Sequence, residues 1–282
     1  MHFLIDANSD GVRSEEMRSI LAQRGIDLRA VKLFPQSTYP HDIANAEDIT
    51  IDANAICFGS PALIHHIQNK RRWEPGGWCT FANFACDVYY TYFGKFLLNN
   101  CYTLLPASEA NRQSDFLFQQ FGRNGEVFAR PSAGRKLFVG KTFEMDDFKK
   151  TISKIDDPRS LVLISRPQKI GREWRLYIAH DRIITFSQYA SNGKRNLEFE
   201  CPSDVLSFGN EILQHVSWRP DPIFSMDLCE CDDQIRLLEL NGFSCSNLYA
   251  SDLDAIIGTI IQTINPANNR VNSNPKRNFP RL

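Results

Sequence analysis

The sequence predicts a protein of mixed class, an α/β unit followed by an α+β unit. Up to about residue 99, short apolar strands alternate with helices, an order typical of a parallel sheet covered by helices. After that point, pairs of strands are separated by short turns, which predicts antiparallel hairpins. The chain has 282 residues, of which 43% are hydrophobic and 23% charged, enough for one large domain or two of ordinary size.

Composition and charge narrow the class of protein. The net charge of −1 implies no general affinity for nucleic acids or membranes. No apolar run approaches the length of a membrane span, and the opening MHFLIDANSDG reaches Asp6 too early for a signal peptide. The eight cysteines form no C-x-x-C pair, so we interpret them as reduced thiols and expect a cytoplasmic protein.

The elements of the first part follow from apolar runs and helix signals. The predicted strands are 2–6, 26–34 and 55–59, and the predicted helices run from an N-cap at Ser14 to about residue 24 and from 62 to about 70. No G-x-G-x-x-G motif follows the first strand, so the dinucleotide fingerprint is absent. His65 and His66 lie inside the second helix and are interpreted as packing or surface residues.

A loop, an aromatic helix and a connection lead into the second part. The loop is predicted at residues 73–78 because it contains Glu74-Pro75-Gly76-Gly77. Aromatic residues about three and four apart predict a packed helix between residues 82 and 92, ending at Gly94. Residues 101–106 are interpreted as a connection.

Basic residues mark the middle of the chain. Predicted strands 126–131 and 136–143 are joined by a tight turn of small residues, with Arg130 and Lys136 on either side. Backbone N–H groups in such a turn can approach phosphate oxygens. A helix at 145–154 and a buried strand at 161–165 follow. Strand 173–179 alternates so that Glu173, Arg175 and Tyr177 share one face, and it forms a hairpin with 183–189. A plain Arg–Glu ion pair is the alternative interpretation.

An acidic hairpin follows near the end. Strands 223–229 and 235–240 are joined by a turn at Asp232-Asp233, and antiparallel pairing across it would bring Asp227, Glu239 and Asn241 to one face. Two neighbouring carboxylates among apolar residues are costly unless a cation lies between them. Oxygen ligands without His or Cys suit Mg²⁺. The alternative is a surface hairpin with solvated acids.

The order of these elements resembles the ATP-grasp superfamily, and most closely its phage- and bacteria-associated clade named for two arginines and a lysine. The matching stretches are EVFARPSAGRKLFVG, LVLISRPQKIGREWRLYIAHDRIITFSQYASNGK and FSMDLCECDDQIRLLELNGFSCSNLY. The resemblance covers residues 99 to about 260. It implies a Rossmann-like pre-ATP-grasp domain at 1–99 and a two-lobed ATP-grasp domain at 100–264. The small lobe would span about 106–168, the large lobe about 169–264, and residues 265–282 would form a flexible tail.

The resemblance also implies roles for single residues. Asp227, Glu239 and Asn241 match metal ligands, and Arg175 and Lys136 match catalytic residues that contact phosphoryl groups. Arg130 stands on the strand where most ATP-grasp enzymes carry a phosphate-binding lysine. This departure from the common pattern looks like the form of the site seen in this clade. ATP contacts are implied at the following positions: Arg130, Lys136, Ser165, Arg166, Glu173, Arg175 and Lys194.

The function that the resemblance implies is an ATP-dependent carboxylate–amine (or thiol) ligase that uses ATP and Mg²⁺. Such an enzyme activates a carboxylate as an acyl phosphate, which an amine or similar nucleophile attacks, and it releases ADP and phosphate. The expected partners are a small-molecule or peptide carboxylate and an amine-type acceptor, with no nucleic acid and no membrane. A kinase acting on a non-carboxylate acceptor and a nucleotide-binding module without turnover are the alternatives. The acceptor would be determined by the N-terminal domain and by loop 191–196.

Overall fold

Three β-sheets organise the part of the chain that the computed structural model describes, which is residues 1–8, 13–34, 42–70, 72–133 and 137–265. One sheet belongs to the N-terminal third, a second to the middle, and the third and largest to the C-terminal half. Within these ranges no helix has the length and hydropathy that a membrane span requires. The eight cysteines are all free thiols.

The N-terminal sheet is mainly parallel, as the strand–helix alternation predicts. Its strands are β1 (His2–Asp6), β2 (Leu28–Leu33), β3 (Ile43–Ala44), β4 (Ala53–Phe58) and β5 (Trp73–Gly76), in the order β3-β2-β1-β4-β5. Helix α1 (Ser14–Ala22) connects β1 to β2, and α2 (Pro61–Lys70) connects β4 to β5. Only the short β3 pairs antiparallel. Pro61 begins α2, where the missing N–H of proline has no intrahelical partner to lose.

The middle sheet is antiparallel and has the order β6-β9-β7-β8. Its strands are β6 (Tyr102–Pro106), β7 (Glu126–Pro131), β8 (Lys141–Glu144) and β9 (Leu161–Ser165). The helices α4 (Ala107–Arg112), α5 (Ser114–Phe121) and α6 (Met145–Ile152) cover one face around a separate apolar core that includes Phe143 and Phe148. The preceding helix α3 (Cys86–Phe93) packs instead into the core of the largest sheet.

The largest sheet is antiparallel throughout and has the order β12-β11-β10-β13-β14. Its strands are β10 (Ile170–Ala179), β11 (Arg182–Ser191), β12 (Lys194–Glu198), β13 (Ile223–Cys231) and β14 (Gln234–Gly242). Helix α7 (Ser203–His215) packs on one face and α8 (Leu253–Ile264) on the other. Asp232 and Asp233 both have positive φ, as a two-residue hairpin turn of the primed type requires, so the predicted turn is confirmed.

The core beneath α8 is shared between the first and last parts of the chain. Phe3, Met17 and Phe58 from the N-terminal sheet and α1 join Phe243 and Leu253 from the C-terminal half in one cluster. An ion pair between Arg24, two residues after the end of α1, and Asp254 of α8 is 2.6 Å long and lies at the surface. The N-terminal sheet therefore packs against the largest sheet through α8.

Several element predictions are wrong in type or position. Residues 73–76 form the edge strand β5, where a proline costs no ladder hydrogen bond, although the Glu-Pro-Gly-Gly run predicts a loop. Residues 102–106 form β6 rather than a connection, because they pair with β9 some 60 residues later, a contact with no local signal. Helix α1 begins at Ser14 itself, with Arg13 as its N-cap. Helix α3 begins at Cys86 and β8 at Lys141, both later than predicted.

Candidate active site

A row of charged side chains crosses three neighbouring strands of the largest sheet. In the register of the sheet, Arg175 of β10 lies opposite Asp227 of β13, and Asp227 lies opposite Glu239 of β14. Asn241 follows two residues after Glu239, so its side chain points to the same face. The structure therefore brings together the three residues of the predicted acidic set.

A bulge in β14 permits this arrangement. Between the pairs Asp227–Glu239 and Leu228–Leu237, Leu238 has no partner on β13. The extra residue returns Leu237 to the apolar face, where it packs in the core with Leu228, while Glu239 stays on the polar face. Bulges commonly re-aim side chains beside functional sites.

Arg175 and Asp227 form a two-point ion pair. Arg175 Nε donates to Asp227 Oδ1 over 2.8 Å, and Nη2 donates to Oδ2 over 2.7 Å. Arg175 is 6% exposed and Asp227 1% exposed, so the pair is shielded from water. Arg175 Nη1 also donates to the backbone oxygen of Asn247 over 3.2 Å. Parallel hydrogen bonds of this kind fix the guanidinium plane as well as its position.

A second ion pair joins the middle sheet to the largest sheet. Arg130 on β7 lies 3.0 Å from Glu239 on β14, measured from Nη2 to Oε2. Asn241 Nδ2 donates to Glu239 Oε1 over 3.0 Å and to Asp227 Oδ2 over 3.1 Å. The amide of Asn241 thus bridges the two carboxylates, and two guanidinium groups compensate their charge. Neighbouring buried carboxylates need such cations to be stable.

Two tyrosines cover the guanidinium of Arg175. The rings of Tyr189 and Tyr249 stack at 5.0 Å between centroids, and Arg175 lies 5.7 Å and 4.9 Å from those centroids. Tyr249 has φ +46°, a backbone conformation that is uncommon for a tyrosine. Tyr189 also donates to Glu173 over 2.8 Å. Burial raises the pKa of Glu173, and this hydrogen bond only partly opposes the rise.

The remaining predicted site residues do not belong to this row of charged side chains. Ser165 ends β9, is buried, and donates to Asn99 Oδ1 over 3.0 Å. Arg166 is exposed at the start of the segment that links the middle sheet to the largest sheet. Lys194 is exposed at the start of β12, directly after the tight turn at Asn192-Gly193. Lys136 lies outside the described residues.

The predicted metal-binding residues have the donor chemistry that Mg²⁺ requires. Two carboxylates and one carboxamide supply oxygen donors, and a cationic or N–H group already lies against each carboxylate. Among the described residues, no three His, Cys, Asp or Glu side chains converge on a metal position, so a metal ion bound here would need Asn241 and ligand oxygens as further ligands.

Sequence reasoning missed a set of residues on and around α2. His65 and His66, interpreted as packing or surface residues, both line a cavity that also reaches Arg130 and Asn241. His66 Nε2 pairs with Asp42, whose other oxygen accepts from Arg72 Nη1 over 2.7 Å. The only signal in the sequence is a His-His pair on a helix that follows a strand, and Asp42 and Arg72 are each too far along the chain to be linked to it.

Comparisons with known proteins agree with this architecture. Solved structures of similar fold include an ATP-grasp ligase, PsnB, complexed with a minimal precursor, at 15% identity and a TM-score of 0.57, covering 93% of this chain and 98% of that chain. A RimK domain protein of the ATP-grasp type from Sphaerobacter thermophilus has 13% identity and a TM-score of 0.58, covering 94% and 97%. The D-alanine–D-alanine ligase of Bacillus anthracis has 13% identity and a TM-score of 0.57, covering 95% and 99%. At these identities the likeness shows the fold alone.

The sequence comparisons give the family. A search of curated proteins returned no significant match. The family model that matches residues 99–260 describes an ATP-grasp domain, family 3 of the clade named for two arginines and a lysine. That range contains β6 to β14, and with them Arg130, Arg175, Asp227, Glu239 and Asn241. Because the match covers more than half of the 282 residues, the chain belongs to this clade of the ATP-grasp family.

Proposed function

We propose that the chain is an ATP-dependent ligase that activates a carboxylate as an acyl phosphate for attack by an amine or similar nucleophile, releasing ADP and phosphate. The observation that carries the proposal is the row Arg175–Asp227–Glu239–Arg130, which joins two sheets at one polar face. Membership of the ATP-grasp family supports ATP as the substrate. PsnB and D-alanine–D-alanine ligase, which share the fold, are both named as ligases, and this supports the class of reaction.

The nucleotide would lie between the middle and largest sheets. Residues 165–168, from the end of β9 into the segment that leads to β10, are the proposed hinge whose backbone groups would contact the adenine. Arg130 enters from one sheet and Arg175 from the other, so guanidinium groups would surround the terminal phosphates. We propose the same boundaries as the sequence does, 1–99 and 100–264, with the lobes meeting at this segment. Of the predicted tail at 265–282, all but the first residue lies outside the described residues.

The arginines would stabilise the transferring phosphoryl group. The substrate carboxylate oxygen attacks the γ-phosphorus, and the bond to the β–γ bridging oxygen breaks with its electron pair leaving on ADP. The amine nitrogen then attacks the acyl carbon, phosphate leaves with the electron pair of its bond, and the amine proton passes to that phosphate. Phosphoryl transfer needs positioning and charge neutralisation more than covalent help. Lys136, Glu173, Ser165, Arg166 and Lys194 are proposed nucleotide contacts, with Lys136 and Arg175 catalytic.

The residues proposed as metal ligands are Asp227, Glu239 and Asn241. When bound, Mg²⁺ would neutralise part of the charge on the phosphate oxygens. Asp227 and Glu239 would each exchange part of their contact with an arginine for the metal, which would free guanidinium N–H groups to donate to phosphate oxygens.

The test is a reaction of the purified protein with labelled ATP, Mg²⁺ and a library of carboxylates and amines. Mass spectrometry detects the ligated product, and chromatography separates ADP from AMP. We expect ADP, dependent on an added carboxylate, because the arginines surround the terminal phosphates. AMP as the main nucleotide would reject the acyl-phosphate route, and no turnover with any pair would reject the ligase.

Matched variants tie the reaction to the site. Asp227→Asn and Glu239→Gln should each remove Mg²⁺-dependent turnover. Glu230→Gln is the control, because Glu230 lies on the same strand as Asp227 but an odd number of residues away, and it pairs with Arg172 at 2.6 Å on the opposite face. Equal loss in all three variants would show general destabilisation rather than a role in the reaction.

A further inference from the structure

Two cysteines from distant parts of the chain meet where the N-terminal sheet contacts the C-terminal half. Cys79 precedes α3 and belongs to the apolar core of the N-terminal sheet. Cys245 ends the short 3₁₀ turn Phe243–Cys245, which follows β14, and packs against the same core. Both side chains line one cavity of about 620 Å³, and the thiol of Cys79 hydrogen-bonds with that of Cys245.

Backbone contacts hold the two segments side by side. The N–H of Ser244 donates to the carbonyl oxygen of Trp78 over 3.0 Å, and the N–H of Trp78 donates to Ser244 Oγ over 2.9 Å. Each cysteine directly follows one of these two residues. Hydrogen-bonded segments lie about 5 Å apart, and the Cα atoms of a disulfide are about 4.4–6.8 Å apart. The spacing that the backbone sets therefore suits a disulfide.

The missing side chain of Gly242 makes room for the two thiols to meet. A Cβ on Gly242 would lie 2.3 Å from Cys79 Sγ, so the thiol of Cys79 lies directly on the Gly242 backbone. Cys245 is the third residue after Gly242, and residues three apart in a 3₁₀ turn carry their side chains on the same side. The turn thus brings Cys245 over the place that the Cys79 thiol occupies.

The two thiols differ in their surroundings. Cys79 is 3% exposed, and the next residue, Thr80, is fixed by hydrogen bonds of 2.9 and 2.6 Å to Asp221. The hydrogen bond with Cys245 and burial raise the pKa of the Cys79 thiol well above its usual range. Cys245 is only half-buried. An oxidant therefore meets Cys245 first, with the protonated Cys79 thiol beside it.

We propose that Cys79 and Cys245 form a reversible disulfide when the protein meets a hydroperoxide, and that this bond ties the N-terminal sheet to the end of β14. The Cys245 thiolate attacks one peroxide oxygen, the O–O bond breaks, and hydroxide leaves from a sulfenic acid. The sulfur of Cys79 then attacks the sulfur of Cys245, the S–O bond breaks, and the departing hydroxide takes the Cys79 proton. Two thiols and one hydrogen peroxide become one disulfide and two water molecules. The bond forms whether or not the chain is a ligase.

The test treats the full chain with hydrogen peroxide and determines its mass without reductant. We expect the loss of two hydrogen atoms, and a digest in which one pair of peptides is joined through Cys79 and Cys245. Dithiothreitol should separate that pair. The absence of the joined pair at a peroxide dose that oxidises the exposed Cys101 would overturn the inference, and so would pairing of either cysteine with another one.

Serine variants assign the order of the steps. Cys79→Ser should leave Cys245 as a sulfenic acid that dimedone labels, whereas Cys245→Ser should leave Cys79 unlabelled at the same dose. Cys101→Ser is the matched control, because its thiol is exposed, and it should form the bond as the wild type does. Loss of the bond in Cys101→Ser would show exchange through that thiol and reject direct pairing. Dimedone on Cys79 in Cys245→Ser would reject the proposed order.

Thermal unfolding tests whether the bond ties the two parts of the chain together. The closed loop contains the whole middle sheet, so the cross-link restricts the unfolded chain strongly. The oxidised protein should unfold roughly 5 °C or more above the reduced protein. Peroxide should produce no such rise in Cys245→Ser, and the unfolding temperatures before treatment check that each variant folds. An unchanged unfolding temperature in protein whose mass shows the bond would reject the tie.

Discussion

Arg175 donates to both carboxylate oxygens of Asp227 from the adjacent strand, at 2.8 and 2.7 Å, and neither residue is more than 6% exposed. In so dry an environment each charge is tolerated only because the other is present. The pair therefore couples the integrity of the sheet to the integrity of the proposed phosphate site. A substitution at either residue therefore tests both the stability of the sheet and the proposed phosphate site.

Removal of one partner should destabilise the protein more than removal of both. Asp227→Leu leaves Arg175 buried without its carboxylate and should lower the free energy of unfolding by roughly 3–5 kcal/mol. The double variant Arg175→Met with Asp227→Leu removes both charges and should be clearly less destabilised than the single variant. Urea unfolding at neutral pH measures both. A double variant at least as unstable as the single one would contradict the importance of charge compensation.

The ion pair between Arg130 and Glu239 should affect nucleotide binding more than stability. Both side chains are partly exposed, at 14% and 17%, so loss of the pair should cost less free energy of unfolding than Asp227→Leu. Arg130→Gln should weaken Mg²⁺-ATP binding about tenfold or more, as calorimetry would show, because it would remove the proposed phosphate contact.

Lys141→Gln is the control for that measurement. Lys141 is on the same sheet as Arg130 and forms an exposed ion pair with Asp147, 2.7 Å long. Loss of this exposed pair should leave ATP binding unchanged. If Arg130→Gln changes only the unfolding temperature, Arg130 is structural.

Asp221 should make stability fall as the pH rises through mild acid. Burial raises the pKa of this carboxyl from 3.8 to about 6, although Thr80 donates to both of its oxygens. The folded state thus holds a proton that the unfolded state releases near pH 4, so stability decreases between about pH 4 and pH 6. Asp221→Asn should flatten the curve over that window. An unchanged slope in the variant would assign the pH dependence to another group.

Two glycine substitutions should have opposite effects. A Cβ on Gly242, at the end of β14, would lie 2.3 Å from Cys79 Sγ and 2.7 Å from its Cα, so Gly242→Ala should destabilise by about 1–3 kcal/mol. A Cβ on Gly258, inside α8, would meet nothing within 4 Å, so Gly258→Ala should stabilise by about 0.5–1 kcal/mol. Thermal and urea unfolding compare them. If the two variants were equally stable, Cys79 would have moved to make room for the added Cβ at little cost in free energy.

The acidic hairpin could be predicted because its signals are local. Apolar runs on both sides of Asp232-Asp233 specify two paired strands, and Asp227 and Glu239 stand out in them. The arginines that compensate these acids could not be derived in the same way. Arg175 and Arg130 come from a second hairpin and from another sheet, and their proximity depends on how three sheets pack.

The contribution of the N-terminal sheet was harder to predict. His66 pairs with Asp42, 24 residues earlier, and Asp42 in turn accepts a hydrogen bond from Arg72. Each of these residues is ordinary by itself in the sequence. The positive φ of Tyr249 likewise has no marker in the sequence, since glycine or asparagine would be the usual choice there. Contacts of this kind follow from tertiary packing rather than from local pattern.

The shared core beneath α8 has a consequence for how the protein is made. A ribosome releases the N-terminal strands and α1 long before it reaches Leu253, yet Phe3, Met17 and Phe58 find part of their apolar surroundings on α8. The nascent N-terminal sheet would therefore leave the exit tunnel with an apolar face still open to water. Its burial must wait until translation has passed residue 264, so the N-terminal sheet is completed by α8, a helix that is made much later.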